Sequence, residues 1–225
     1  MKREKTVFQK VAEFYDENCQ AFSQTRECWW SDLNFIRKYL KKKGRILDFG
    51  CGNGRLAGFL EEEKADLEYQ GADISQNLIA IAEEKYPQKE FIVLKEGEKL
   101  PFENETFDVV VAIAVFHHLS PAMAEKTLRE LKRVLKKDGK IVLTVWHLWK
   151  RKYLAFWWKE FSFKKASFSA QISFGDKKEH TRWCYWWTLR GLRKVLQKSG
   201  FSLLESGITL SKSNKKRNYW MVGEK

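Results

Sequence analysis

The chain has 225 residues, with 42 Lys and Arg against 29 Asp and Glu, a formal net charge of +13. A hydrophobic fraction of 44% excludes general disorder, and this length suits one domain with a full core. The longest apolar run, Val109–Phe116, is far short of the roughly 20 residues of a bilayer helix, and the charged Met1–Lys5 leads into no apolar signal core.

Residues 1–43 read as a helical cap. Val7, Phe8, Val11, Phe14 and Tyr15 recur at helical spacing, as do Trp29, Leu33, Ile36 and Leu40, with the polar Ser23-Gln24-Thr25-Arg26 between them. Lys41-Lys42-Lys43-Gly44 closes the cap in the manner of a helix C-terminus. From residue 44 to 146 short apolar runs alternate with longer amphipathic ones. Strands are expected at Arg45–Phe49, Glu68–Asp73, Phe91–Leu94, Phe107–Ala114 and Lys140–Trp146. Helices are expected at Gly52–Glu63, after an opening turn, and at Ser75–Lys85 and Pro121–Leu135. The fourth strand is almost wholly apolar and should be central, covered on both faces. Residues 147–187 break the pattern as an insertion. A helix at Thr188–Ser199 and an antiparallel pair at Phe201–Leu210 and Tyr219–Val222 close the chain over residues 188–225. The expected fold class is α/β, a doubly wound, Rossmann-like seven-stranded sheet with an N-terminal helical cap and an aromatic, basic insertion after strand five.

The segment that carries chemistry is Ile46-Leu47-Asp48-Phe49-Gly50-Cys51-Gly52-Asn53-Gly54. A buried strand runs into a glycine-rich turn at a helix start, where free N–H groups favour an anionic ligand. A dinucleotide fingerprint would place Gly or Ala at position 55, where Arg55 stands. With its third glycine one residue early, the turn resembles the S-adenosylmethionine (SAM) motif of class I methyltransferases. Asp73 ends the second strand about 20 residues on, where an acid can accept from both ribose hydroxyls. The resemblance covers roughly residues 45–146. It implies SAM as cofactor, held by Asp48, Gly50, Cys51, Gly52, Gly54, Asp73, Ile74, Glu96, Gly97 and Ala114, with Glu96 at the adenine amino group and the Gly97 backbone against the adenine ring. A single methyltransferase domain over residues 1–225 follows from it.

A narrower resemblance lies outside that core. Phe22-Ser23-Gln24-Thr25-Arg26 followed by Trp29 and Trp30 resembles the N-terminal signature of the tRNA wobble-uridine carboxyl methyltransferases, a family also found fused to an AlkB-like tRNA hydroxylase. Ile113–His118, Arg182–Trp187 with Leu189–Leu192, and Asn218-Tyr219-Trp220 are similar to later segments of that family. Tyr185 stands where the family usually has His. The resemblance implies tRNA as substrate and, for eukaryotic members, a small zinc-containing activator protein as partner.

Methyl transfer from a sulfonium is an in-line displacement that depends on alignment, and a carboxylate acceptor is already ionised at pH 7. No catalytic base is therefore nominated; the substrate-side candidates are Arg26, His117, His118, Arg182 and Tyr185. Arg26 could pair bidentately with a carboxylate of SAM or of the substrate. Tyr15 either covers the cofactor or packs in the core. His117 and His118 are adjacent at a strand end and should point apart, which argues against a shared metal. Cys19, Cys28, Cys51 and Cys184 form no CxxC pair or zinc spacing, so reduced thiols, no metal and a cytoplasmic location are expected.

Seven of the ten tryptophans fall between Trp146 and Trp187, interleaved with Lys150-Arg151-Lys152, Lys159, Lys164-Lys165 and Lys177-Lys178. Aromatic stacking on splayed bases with lysines along the phosphates would hold single-stranded RNA. A packed lid with solvated lysines is the plain alternative. A membrane-surface helix is disfavoured, because Glu160 interrupts the stripe of Trp149, Tyr153, Phe156 and Phe163. A small-molecule or lipid-precursor methyltransferase, and a non-catalytic RNA-binding or partner subunit, are the competing functions; the intact glycine turn and Asp73 argue against the latter.

Overall fold

The computed structural model describes residues 6–40, 43–96, 98–148, 169–174, 177–210 and 216–225. In chain order the elements are helices α1 (Val7–Glu17) and α2 (Cys19–Gln24), a 3-10 helix (Ser31–Tyr39), β1 (Lys43–Phe49), α3 (Arg55–Glu62), β2 (Asp66–Asp73), α4 (Gln76–Lys85) and β3 (Glu90–Val93). There follow β4 (Phe107–Ile113), a short 3-10 turn (Phe116–His118), α5 (Pro121–Val134), β5 (Leu135–Trp146), β6 (Ser169–Phe174) and β7 (Lys177–Tyr185). Helix α6 (Leu189–Lys198) and strands β8 (Ser202–Leu210) and β9 (Lys216–Glu224) end the chain.

Seven strands form one sheet in the order β3-β2-β1-β4-β5-β9-β8. The first five run parallel, with Ile46 opposite Tyr69 on one side and Val109 on the other; β9 runs antiparallel to β5 and β8. The sheet is therefore the doubly wound, seven-stranded one expected. Its order reverses between β1 and β4, and the crevice outside the carboxyl ends of strands at such a switch point is where these sheets bind ligands.

The apolar run of the fourth strand is explained by its position. Val110 and Ala112 face one core with Leu47, Phe116, Leu128, Leu131, Leu192 and Leu196, whereas Val109 and Val111 face the other with Ile46, Leu33, Ile36, Leu56 and Phe59. Successive side chains alternate between two buried faces, so no polar position remains from Val109 to Ala112. Helices α5 and α6 cover the first face; α3 and the first 3-10 helix cover the second. Each fully buried Val, Leu or Phe contributes about 1.5–3 kcal/mol.

Four local details differ from expectation. Trp29 to Leu40 is a 3-10 helix over Ser31–Tyr39 rather than an α-helix; its apolar spacing survives because Leu33 and Ile36 sit one tight turn apart and are both fully buried. Lys43 and Gly44 lie in β1 and do not close a helix. In the insertion, β6 and β7 pair as an antiparallel ladder from Ser169 opposite Tyr185 to Phe174 opposite Lys177. Strand pairing across the whole of β8 also carries β9 beyond the expected Tyr219–Val222.

Candidate active site

At the carboxyl end of β1 the chain turns sharply. Gly50 and Cys51 both donate their N–H to the carbonyl of Ala72, at 2.7 and 3.2 Å. Gly50 has φ +76°, and a Cβ there would lie 2.2 Å from Val115 Cγ2. Gly54, with φ +78°, caps α3, and a Cβ there would meet the Tyr86 ring at 2.8 Å. Only glycine fits both positions.

Asp73 ends β2 beside this turn and is 8% exposed. Its carboxylate accepts from Gly52 N–H at 2.8 Å and from Ser75 N–H at 2.9 Å. Burial pushes its pKa up; the N–H donors of Ser75, Gly52 and Ile74 pull it back. Asp48, one layer deeper, accepts from the Tyr69 hydroxyl at 2.9 Å. Burial raises Asp48 from 3.8 to about 7, against the opposing pull of that hydroxyl and the Arg55 charge. The Cys51 thiol is also pushed up by burial, which leaves it a packing residue without thiolate character.

Helix α1 forms the roof. Its Thr6 cap exchanges hydrogen bonds with Gln9, at 3.1 and 3.2 Å. The Asp16 carboxylate accepts from Ser75 Oγ at 2.6 Å and Asn77 N–H at 3.1 Å, which ties α1 to the start of α4. Tyr15 packs edge-on against Phe22 and His118, and its hydroxyl is hydrogen-bonded to His118 Nε2 at 2.9 Å. The Arg26 guanidinium lies 3.8 Å over the Phe22 ring, and that of Arg55 lies 3.9 Å over Trp30.

These groups enclose a cavity of about 500 Å³ at the switch point, within the range of small-ligand sites. Asp48, Gly50, Cys51, Gly52, Asp73, Ile74, Glu96 and Ala114 of the expected cofactor residues line it, as do Arg26 and His118 of the substrate-side candidates. Gly54 shapes the turn without lining the wall, and Gly97 lies outside the described residues. His117 is fully buried behind His118, its ring stacked on Trp146 at 4.3 Å. Tyr185 packs against the core, and Arg182 sits in β7 opposite Ile172.

The two histidines do not diverge as expected. They occupy a 3-10 turn rather than a strand end, and their ring centroids are 4.2 Å apart. Of the insertion's aromatics, Trp186 and Trp187 are buried, and Trp187 Nε1 donates to the Phe116 carbonyl at 2.8 Å. Trp149, Trp157 and Trp158, with Lys150-Arg151-Lys152, Lys159 and Lys164-Lys165, lie outside the described residues.

Sequence reasoning missed Asp16, Tyr69 and Thr144. Thr144 Oγ1 accepts the N–H of Ala114 at 2.9 Å and so steadies that residue's positive φ of 58° in the cavity wall. None of the three stands in a motif; each acts on a group far away in the chain.

A glycine turn that admits a ligand's backbone-side approach, a buried acid at the end of β2 and a cavity of this size fit SAM, whose sulfonium supplies a methyl group. The sheet order and this site define a class I SAM-dependent methyltransferase. Comparison with known proteins agrees. Residues 47–143 match the family described as methyltransferase domain. A methyltransferase of Encephalitozoon cuniculi is 31% identical over 202 residues, 88% of this chain and 89% of the relative. The chain belongs to that methyltransferase family. An Arabidopsis thaliana tRNA (carboxymethyluridine(34)-5-O)-methyltransferase is 34% identical over 137 residues, 60% of this chain but only 32% of the relative's length. A Thermotoga maritima demethylmenaquinone methyltransferase is 31% identical over 139 residues, 61% of this chain and 58% of the relative. Among solved structures, a Methanosarcina mazei SAM-dependent methyltransferase superposes with a TM-score of 0.73 at 21% identity, covering 88% of this chain and 98% of that one.

Proposed function

We propose that the chain methylates a carboxylate carried by a modified wobble uridine of tRNA. The observation that carries this reading is Arg26 at the cavity wall, held over Phe22 within the Phe22–Arg26 segment. A guanidinium there can grip a carboxylate with two parallel hydrogen bonds and aim one oxygen at the methyl donor. Such an acceptor is ionised at pH 7, so the residues need only align it; alignment can supply on the order of 7–11 kcal/mol. Tyr15 and His118, joined by their hydrogen bond, form the neighbouring wall and fix the shape of the acceptor side. Asp73, Glu96 and the glycine turn hold the donor, with the Gly97 backbone beside the adenine as part of the same proposal.

The +13 charge supports an anionic, phosphate-rich substrate. The name of the Arabidopsis relative supports the same acceptor, although the chain spans about a third of that protein. The proposal includes a small activator protein as partner, on the strength of the family resemblance, and a cytoplasmic site of action. Among the described residues no helix is long and apolar enough to cross a membrane.

The test is incubation of the full chain with labelled SAM and tRNA from cells lacking wobble-uridine carboxyl methylation, with and without an activator. Label should enter tRNA as an alkali-labile ester, and tRNA affinity should fall steeply as salt rises. Label that enters only organic-soluble metabolites would refute the tRNA reading. That outcome would favour the second reading, a small apolar acceptor, for which the cavity walls Phe8, Val11, Leu119, Met123 and Trp146 speak.

A further inference from the structure

We propose that His117, His118 and Cys184 bind a borderline-soft divalent cation of the zinc class at the wall of the cleft. Each residue offers one ligand atom, and these atoms all lie within 4.8 Å of one another. All three side chains are buried, at 0%, 8% and 0% exposure. Two come from the turn after β4 and the third from the end of β7, so the fold brings together what no sequence spacing announces. Two imidazoles and one thiol are a donor set that zinc takes readily.

The supporting contacts are of the kind that orient metal ligands. The Tyr15 hydroxyl engages His118 Nε2 at 2.9 Å, as the outer partner of a metal-binding imidazole engages its second nitrogen. Trp146 stacks on the His117 ring at 18° and fixes its plane. Trp187, three residues after Cys184, bonds to the Phe116 carbonyl and holds the end of β7 against the histidine turn. Tetrahedral bonds of about 2.0–2.3 Å place ligand atoms about 3.3–3.8 Å apart, so shifts of roughly an ångström close the cluster on a cation.

On binding, a metal–sulfur bond forms and the Cys184 proton leaves to solvent, with no change of oxidation state. Three protein ligands leave a fourth position free, as in zinc sites that bind water or substrate. Of the three ligands His118 lines the cavity, so the cluster adjoins the cleft.

The test is metal binding by the full chain and does not depend on methyl transfer. After removal of metal with a chelator, titration with Co2+ should give a thiolate-to-cobalt charge-transfer band at one equivalent. The same protein desalted from excess Zn2+ should retain one equivalent by elemental analysis. Cys184→Ser should abolish the band and weaken metal binding at least tenfold, whereas Cys28→Ser, at an exposed thiol elsewhere, should leave both unchanged. If Cys184→Ser fails to fold, the Cys28→Ser chain loaded with one equivalent of 113Cd2+ decides: its cadmium resonance should fall in the range of one sulfur and two nitrogen ligands, and an all-oxygen or all-nitrogen shift would overturn the proposal. A wild-type chain that is folded by circular dichroism yet gives no cobalt band, or a band that persists in Cys184→Ser, would overturn the proposal.

Discussion

Replacing Asp48 with Asn removes a charge that the folded chain holds at a cost. The carboxyl is 3% exposed, and burial raises it from 3.8 to about 7 despite the Tyr69 hydrogen bond and the Arg55 charge. The folded state therefore keeps a proton that the unfolded chain gives up near pH 4. A group raised in this way contributes its full stability below its unfolded pKa and loses it as pH rises through the folded value. From 3.8 to about 7, at about 1.4 kcal/mol per pH unit, the loss is about 4 kcal/mol. Asparagine is uncharged at every pH and keeps an oxygen for the Tyr69 hydroxyl, which donates to Asp48 at 2.9 Å. The advantage of Asp48→Asn over wild type should then grow from near zero at about pH 4 to about 4 kcal/mol above about pH 7. Urea unfolding of both proteins without SAM, followed by tryptophan fluorescence across that range, measures the difference. An advantage that is flat with pH, or that shrinks as pH rises, refutes the reasoning.

Gly50→Ala should destabilise the fold by about 1–3 kcal/mol and abolish SAM binding in calorimetry, because the backbone sits at φ +76° and the added methyl meets Val115. Asp73→Asn leaves one amide oxygen where two carboxylate oxygens serve Gly52 and Ser75 and, on the proposed cofactor binding, would also take up a ribose; SAM affinity should fall roughly 10–100-fold, consistent with about 1.5–3 kcal/mol per bond to a charged group. Asp16→Ala frees α1 from Ser75 and Asn77, and should speed SAM dissociation about fivefold in stopped-flow displacement, a loss of about 1 kcal/mol for partly exposed bonds. Tyr15→Phe removes the hydroxyl bonded to His118 but keeps the ring; kcat should drop while thermal stability moves by about 1 kcal/mol or less. An unchanged kcat would place that pair outside the acceptor wall.

The periodicities of this chain were enough to place its sheet. Val109–Ala112 shows why: where both faces of a strand are covered, consecutive residues are apolar, so the run itself announces a central strand. The glycine turn after Phe49 was equally legible, because positive φ and close approach restrict the residue type at single positions. Where the signal was local but ambiguous it misled. Leu33 and Ile36 suit a 3-10 helix as well as an α-helix, and a lysine run before Gly44 reads as a helix end although it leads directly into β1. The site was half legible on the same grounds: Asp48, Asp73 and Ala114 sit at strand ends in fixed order, and the residues that complete them do not.

Local chemistry determined which segments form strands, helices and turns, and therefore the cofactor side of the cavity. Tertiary structure alone decided what meets across it. Asp16 reaches Ser75 59 positions away, Tyr15 reaches His118 across 103, and Cys184 returns from β7 to the two histidines. Such partners leave no periodicity or spacing in the chain, because each is satisfied by a residue whose distance is set by the sheet order and not by the sequence between them.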